Sequence, residues 1–153
     1  MKNKNPLINN GISLGIHILL VIVFFIFDKF SGLSFDGQWV GLVILFAVMT
    51  CVYFISGVFL LKPVDKYSFL SVVSVILGTV IGFVCFIIFF DGSYEFLAYM
   101  NPLGNCVICL VATLTDGGIG VFALMPIALV LPSAVIYTGM LIKRISSKDH
   151  TAE

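Results

Sequence analysis

The sequence has very little charge. Of its 153 residues only 10% are Asp, Glu, Lys or Arg, whereas 60% are apolar. A soluble domain typically carries about 25% charged and about 45–50% apolar residues. This chain therefore has too little charge to cover a soluble surface, which excludes a soluble globular enzyme and a disordered tail. The formal net charge is zero, so no general basic field attracts nucleic acid.

Motifs that carry common chemistries are also absent. The sequence contains no G-x-x-x-x-G-K-[ST] phosphate loop, no H-E-x-x-H metal helix and no G-x-S-x-G nucleophile elbow. His150, in the C-terminal tail, lacks the companions that a metal site needs. These absences favour a protein without a catalytic centre, a metal site, a cofactor or a nucleic acid partner.

The chain does have four long apolar stretches, which exclude all eight basic and all eight acidic residues. The stretches are 8–27, 39–61, 69–90 and 119–142. A helix needs roughly 20 residues to cross the hydrocarbon core. Open sheets cannot cross lipid because their edge amides would be unpaired, and the alternation of barrel strands is missing. The sequence predicts an all-α integral membrane protein, a four-transmembrane-helix bundle forming one domain over 1–153.

The basic residues predict the orientation of these spans. With four spans, both termini lie on the same side as the connection 62–66. Seven of the eight basic residues fall on that side, namely Lys2, Lys4, Lys62, Lys66, Lys143, Arg144 and Lys148, and only Lys29 falls on the other. Lys and Arg accumulate on the cytoplasmic side, so we expect a multi-pass cell membrane protein with both termini in the cytoplasm. We expect the first stretch to be retained, because it is long for a signal peptide core.

The connection between the second and third stretches is very short. It reads Lys62-Pro63-Val64-Asp65-Lys66, and Pro63 disfavours helical geometry at Lys62. One helix therefore ends here and the next begins almost at once. We expect spans two and three to be antiparallel neighbours.

Small residues recur every four positions in the third stretch, at Ser74, Gly78 and Gly82. At this spacing they share one helix face, and small residues let two helices approach closely in lipid. Two interpretations stay open. The face packs within the bundle, or it forms an interface with a second copy or with another membrane protein.

The fourth stretch contains two prolines, Pro126 and Pro132. Each removes an amide donor and crowds the carbonyl four residues earlier, which belongs to Phe122 or Ala128. The prolines are either the cause of a static kink or candidates for a hinge or a carbonyl-lined site.

The outer segment 91–118 is far longer than a hairpin between helices requires. Its apolar run at 103–114 is too short to span and is predicted to be re-entrant or interfacial. Non-helical backbone at membrane depth must be buried in protein or line a wet cavity. We therefore expect the bundle to have an outward-facing recess that receives this segment.

Cys106 and Cys109 form a C-x-x-C pair on the predicted outer side, where oxidation is the better functional interpretation. With the helix count, the run Cys106-Val107-Ile108-Cys109 resembles the four-helix disulfide-generating oxidoreductases of the DsbB and vitamin K epoxide reductase families. The resemblance implies a pair beside a bound quinone and a second, exposed pair that receives electrons from a partner thiol protein. That second pair is missing here, because Cys51 and Cys85 lie within apolar stretches. Alternatively, the cysteines are small apolar filler.

His17 is the one side chain inside a span that can change charge near neutral pH. An ionisable group in the membrane is a candidate for function, but a proton relay usually needs an acidic partner and no span contains one. The other interpretation is a neutral histidine bonded to a neighbouring helix. A wet cavity lined by His17, Thr79 or Thr138 would indicate a channel or transporter.

The sequence thus favours a membrane protein that is not an enzyme. We expect an accessory, immunity or assembly factor that packs its helices against itself or another membrane protein. The alternatives are a membrane thiol–disulfide oxidoreductase and a small-solute channel or transporter subunit. Abundant Lys, Asn, Ile and Phe are typical of AT-rich bacterial genomes, so we expect a bacterial protein.

Overall fold

Five α-helices account for most of the chain that the structure describes. It is a computed structural model, and it describes residues 5–31, 39–62, 68–89, 100–114 and 120–149. The helices are α1 (Asn5–Ser31), α2 (Trp39–Leu60), α3 (Val73–Phe89), α4 (Pro102–Leu114) and α5 (Gly120–Asp149), with a 3₁₀ turn at Ser68–Ser71. These ranges contain no strand, which agrees with the predicted all-α class.

Three helices are long and apolar enough to cross a membrane. Each of α1, α2 and α5 contains a 21-residue apolar segment, at Pro6–Ile26, Val40–Leu60 and Pro126–Ser146. Such a segment is about 31 Å long and matches a hydrocarbon core of about 30 Å. Many large apolar side chains point outward, among them Leu19 and Ile44, where lipid rather than water would solvate them. The structure therefore has the helices that a membrane protein needs.

The helices differ from the predicted stretches mainly at their ends. α1 extends past the apolar stretch 8–27 at both of its ends, and α5 extends past the stretch 119–142 at its C-terminal end. These extensions include polar residues. Lys and Arg are good helix formers, so a helix can extend past the hydrocarbon. The stretch 69–90 divides into the 3₁₀ turn and the 17 residues of α3. Helix length alone therefore gives three spans, not four.

Hydrogen bonds from α1 show how the first two helices run. Asn9 near the start of α1 bonds Lys62 just after the end of α2. Two turns later, His17 bonds Tyr53, which lies nine residues earlier than Lys62 in the chain. Advancing along one helix therefore means going back along the other. α1 and α2 are antiparallel.

The same reasoning shows that α1 and α3 are parallel. Asn10 of α1 bonds Ser74 at the start of α3. His17, seven residues later in α1, bonds Thr79, five residues later in α3. The bonded positions advance together along both helices.

The expectation that spans two and three are neighbours was wrong. In the described residues, α2 packs against α1, α4 and α5, whereas α3 packs against α1, α5 and the 3₁₀ turn. A short connection constrains only the two helix ends that it joins. Asn9 of α1 holds the end of α2 and Asn10 holds the start of α3. In the described residues both α1 and α5 contact α2 and α3, which do not contact each other.

The largest interface joins α2 and α5, and glycines on both helices make it close. A Cβ built on Gly57 would overlap the Ile136 carbonyl oxygen and lie 3.2 Å from Gly139 Cα. A Cβ on Gly139 would overlap the Phe54 carbonyl oxygen. The backbones touch here, which is the packing that small residues permit between membrane helices.

The core is continuous, and each of the five helices contributes at least one buried residue to it. Its buried members are Leu20, Phe24, Met49, Tyr53, Leu61, Val72, Val75, Leu103, Ile136 and Met140. Leu103 comes from α4, so the segment predicted to enter a recess does pack into the bundle. α4 lies against α2 and α5.

Candidate functional site

The inward face of α1 is polar in its first half. Asn9, Ser13 and His17 are spaced four residues apart, so they lie one above another on one helix face. All three are buried, His17 with only 3% of its surface exposed. The same face continues with Leu20 and Phe24, which are also buried. The bundle interior therefore has a polar half and an apolar half.

His17 lies at the junction of these halves and joins several elements. Its Nδ1 is 2.7 Å from the Tyr53 hydroxyl of α2. Its Nε2 is 3.1 Å from the Thr79 hydroxyl of α3 and 3.1 Å from the Met100 carbonyl oxygen, two residues before α4. The Thr79 hydroxyl also donates to the Val75 carbonyl at 2.9 Å. We call His17, Tyr53 and Thr79 the histidine cluster.

The hydrogen positions in the histidine cluster follow from its acceptors. The Met100 carbonyl can only accept, so Nε2 of His17 carries the proton. Nδ1 then accepts from the Tyr53 hydroxyl. Thr79 uses its proton on Val75, so its oxygen accepts from Nε2. A neutral imidazole satisfies every group, which corresponds to the interpretation of His17 as a neutral residue bonded to neighbouring helices.

Two consecutive asparagines of α1 cap the neighbouring helices. Asn9 pairs twice with the backbone of Lys62, donating to its carbonyl at 2.8 Å and accepting its N–H at 3.0 Å. Asn10 accepts the Ser74 N–H at 2.9 Å, and its carbonyl accepts the Ser74 hydroxyl at 2.7 Å. Lys143 of α5 adds donors to the Phe59 and Leu61 carbonyls. Helix ends have unpaired backbone groups, and these side chains satisfy them.

α4 begins at a well-formed N-cap. The Asn101 side-chain oxygen accepts the Gly104 N–H at 3.0 Å, and Pro102 occupies the first helical position. Asn at the cap and Pro directly after it are both favoured there. Asn101 and Pro102 therefore mark the start of α4.

The same Asn101 side chain satisfies a carbonyl that Pro132 leaves without its helical donor. Its Nδ2 donates to the Ala128 carbonyl oxygen at 2.8 Å. A Cβ on Gly104 would lie 2.6 Å from that oxygen, so α4 approaches α5 closely at this point. Pro132 is buried beside it, whereas Pro126 is exposed on α5. At Pro132 the carbonyl that lacks its helical donor is therefore bonded by a side chain of α4.

The Ser74, Gly78 and Gly82 face of α3 is in contact with parts of the same chain. Ser74 bonds Asn10. A Cβ on Gly78 would lie 2.6 Å from Leu14 Cδ1, and one on Gly82 would lie 2.9 Å from Met100 Sδ. These residues face α1 and the residues before α4, which is the arrangement expected for packing within the bundle.

The cysteine pair lies in α4, which is outside the three spanning segments. Cys106 is 1% exposed. Burial, together with the neighbouring Cys109, raises the pKa of the Cys106 thiol to about 12. The Cys109 thiol is half-buried and donates to Asn105 Oδ1 at 3.6 Å. Thiolate is the reactive form, so this environment does not favour exchange. Cys51 is exposed on α2, and the Cys85 side chain lies outside the described residues.

The structure brings His17 and Thr79 together but keeps Thr138 away from them. Thr138 is exposed and donates to the Ala134 carbonyl one turn earlier. Sequence reasoning missed Tyr53 in the histidine cluster and did not single out Asn9. The four-residue spacing of Asn9, Ser13 and His17 was the signal that could have revealed the polar face of α1.

Within the described ranges, no three His, Cys, Asp or Glu side chains group closely enough to hold a metal ion. No protein-family model, no curated protein and no solved structure matches the chain.

Proposed function

We propose that this protein is a four-span bacterial cell membrane protein, with both termini in the cytoplasm. It acts without a catalytic site, as an accessory, immunity or assembly factor that packs against another membrane protein or against itself. The observation that carries the proposal is the contrast between the polar interior and the apolar outward surface. Its buried polar side chains largely bind neighbouring elements of the chain, and its outward surface is apolar.

The helix directions support α3 as the fourth span. α1 and α3 are parallel and α2 runs opposite to both, as four consecutive crossings would require. The 3₁₀ turn and α3 together cover 68–71 and 73–89. At about 2.0 Å and 1.5 Å per residue, respectively, they cover about 33 Å if they are collinear. The distribution of basic residues, seven to one, fits the same topology.

The outward surface is the part of the molecule left to meet a partner. The Ser74, Gly78 and Gly82 face is already filled by α1 and Met100. On the outward sides of α2 and α3, Ile44 and Ile81 are about 60% exposed. A partner in the membrane would therefore pack on these outward faces.

Site-specific cross-linking tests the proposal. A photo-reactive amino acid is placed at Ile44 or Ile81 in the intact chain, in its native membrane, and Leu103 serves as a buried control. We expect one outward position to give a discrete cross-linked species, a homodimer or a defined heteromer, that the Leu103 control lacks. If every outward position of α1, α2, α3 and α5 reacts with lipid alone and the purified protein is monomeric, the proposal is wrong.

The histidine cluster favours a small-solute channel or transporter subunit as the second candidate. It places an ionisable side chain, a phenol and a hydroxyl together inside a membrane bundle, and such groups often mark solute pathways. Uptake by vesicles containing the purified protein, compared with a His17→Leu variant, separates the candidates. The thiol oxidoreductase remains an alternative in which Cys106 and Cys109 would reduce a quinone, but the burial of Cys106 does not support it.

A further inference from the structure

The polar half of the bundle interior contains hydroxyls without hydrogen-bond partners. Ser13 Oγ and Ser71 Oγ are two such atoms, and both serines are completely buried. A third unpaired hydroxyl, Thr50 Oγ1, lies on α2 beyond Tyr53, on the apolar side of His17 and outside this half. A helical serine can satisfy itself on the carbonyl four residues earlier, but Ser13 does not. Buried hydroxyls are otherwise bonded to protein or to ordered water.

The two serines flank the same contact between α1 and the 3₁₀ turn. Asn10 bonds the Leu70 carbonyl and the backbone of Ser74. Ser71 lies between these two residues in the chain, and Ser13 follows Asn10 by less than one helical turn. Ser13 therefore lies on α1 between Asn9 and His17, and Ser71 lies in the turn that packs against this part of α1.

This region is bounded at both ends. At one end Asn9 pairs with the backbone of Lys62. At the other end His17 bonds Tyr53 and Thr79, and beyond it the α1 face becomes apolar at Leu20. A buried water needs about two to four polar partners, and this half of the interior supplies hydroxyls, amides and carbonyls.

We propose that the polar half of the interior is an internal water-binding site, with the hydroxyls of Ser13 and Ser71 as its ligands, between the Asn9–Lys62 pair and His17. Among the described residues, none of the buried polar side chains belongs to Asp, Glu, Lys or Arg. The site therefore suits a small neutral molecule that both donates and accepts hydrogen bonds, rather than an ion. Water held there lies next to the histidine cluster and gives it contact with exchangeable protons inside the membrane.

Solid-state NMR in phosphatidylcholine vesicles tests this site directly. The full chain carries ¹⁵N-histidine and His150→Gln, so that His17 gives the only histidine signal. Proton magnetisation is transferred from water to the His17 ring. We expect rapid transfer that Ser13→Ala slows severalfold. The matched control Thr138→Val removes an exposed hydroxyl already bonded to Ala134 and should leave the rate unchanged.

Thermal stability gives a second, independent measurement. If Ser13 binds water, Ser13→Ala removes a ligand and lowers the Tm. If its hydroxyl is buried without water, Ser13→Ala removes an unsatisfied group and raises the Tm. A raised Tm, or a transfer rate to His17 that Ser13→Ala does not change, overturns the proposal.

Discussion

At the scale of single residues, the burial of polar groups organises this protein. In a bundle solvated by lipid, an unpaired polar group cannot form a hydrogen bond with bulk water. His17 is tolerated because Tyr53 donates to one ring nitrogen while Thr79 and Met100 accept from the other. The histidine thereby ties α1 to α2, to α3 and to Met100, two residues before α4.

The bond between Tyr53 and His17 should be measurable as a coupling. Tyr53→Phe leaves Nδ1 of His17 without its donor, so it should destabilise the protein by about 1 kcal/mol, typical of hydrogen bonds between membrane helices. In a His17→Leu background the same change should cost much less. A double-mutant cycle of unfolding in mixed micelles checks this, and full additivity of the two changes would contradict the assigned bond.

At the scale of helices, close approach and capping decide which elements pack together. α2 and α5 meet through glycine backbones, and α4 meets α5 where Asn101 bonds the Ala128 carbonyl. These two contacts place α4 and α2 on the same side of α5. Each of these two contacts can be tested by substitution, with a second variant as the comparison.

Alanine at Gly57 should be strongly destabilising. Its Cβ would overlap the Ile136 carbonyl oxygen, and overpacking of this kind costs about 1–3 kcal/mol or more. Gly15 of α1 has nothing within 4 Å of an added Cβ, so Gly15→Ala should instead stabilise the helix by about 0.5–1 kcal/mol. Unfolding midpoints of the two variants check the contrast. Equal effects would show that α2 and α5 do not touch at Gly57.

The capping of Ala128 by Asn101 should depend on Pro132. Asn101→Ala removes the α4 cap, which costs about 1–2 kcal/mol, and also leaves the Ala128 carbonyl unpaired. Pro132→Ala restores an amide that can donate to that carbonyl. Asn101→Ala should therefore be less destabilising in the Pro132→Ala background. Unfolding of the single and double variants measures this, and an equal or larger loss in that background would argue against the shared carbonyl.

At the scale of the whole molecule, the sequence predicted what depends on composition and periodicity. The exclusion of charge from long apolar runs predicted the helical membrane class. The shortness of 103–114 predicted a re-entrant or interfacial segment, and the structure forms helix α4 there, packed against α2 and α5. Neighbour relations were not predictable, because they depend on particular side chains. Asn9 and Asn10 hold the ends of α2 and α3 on α1, and nothing in the connection 62–66 encodes that separation. The closest contact, at Gly57 and Gly139, lacks the four-residue repeat that drew attention to α3.

The location of the two termini distinguishes four membrane spans from three. Four spans put both termini on the same side, which the basic residues predict to be the cytoplasm, whereas three spans put them on opposite sides of the membrane. Epitope tags at the two ends are exposed to an impermeant protease in intact cells and again after the membrane is permeabilised. We predict that both tags resist digestion until permeabilisation. Digestion of the C-terminal tag in intact cells, with the N-terminal tag protected, would contradict four spans.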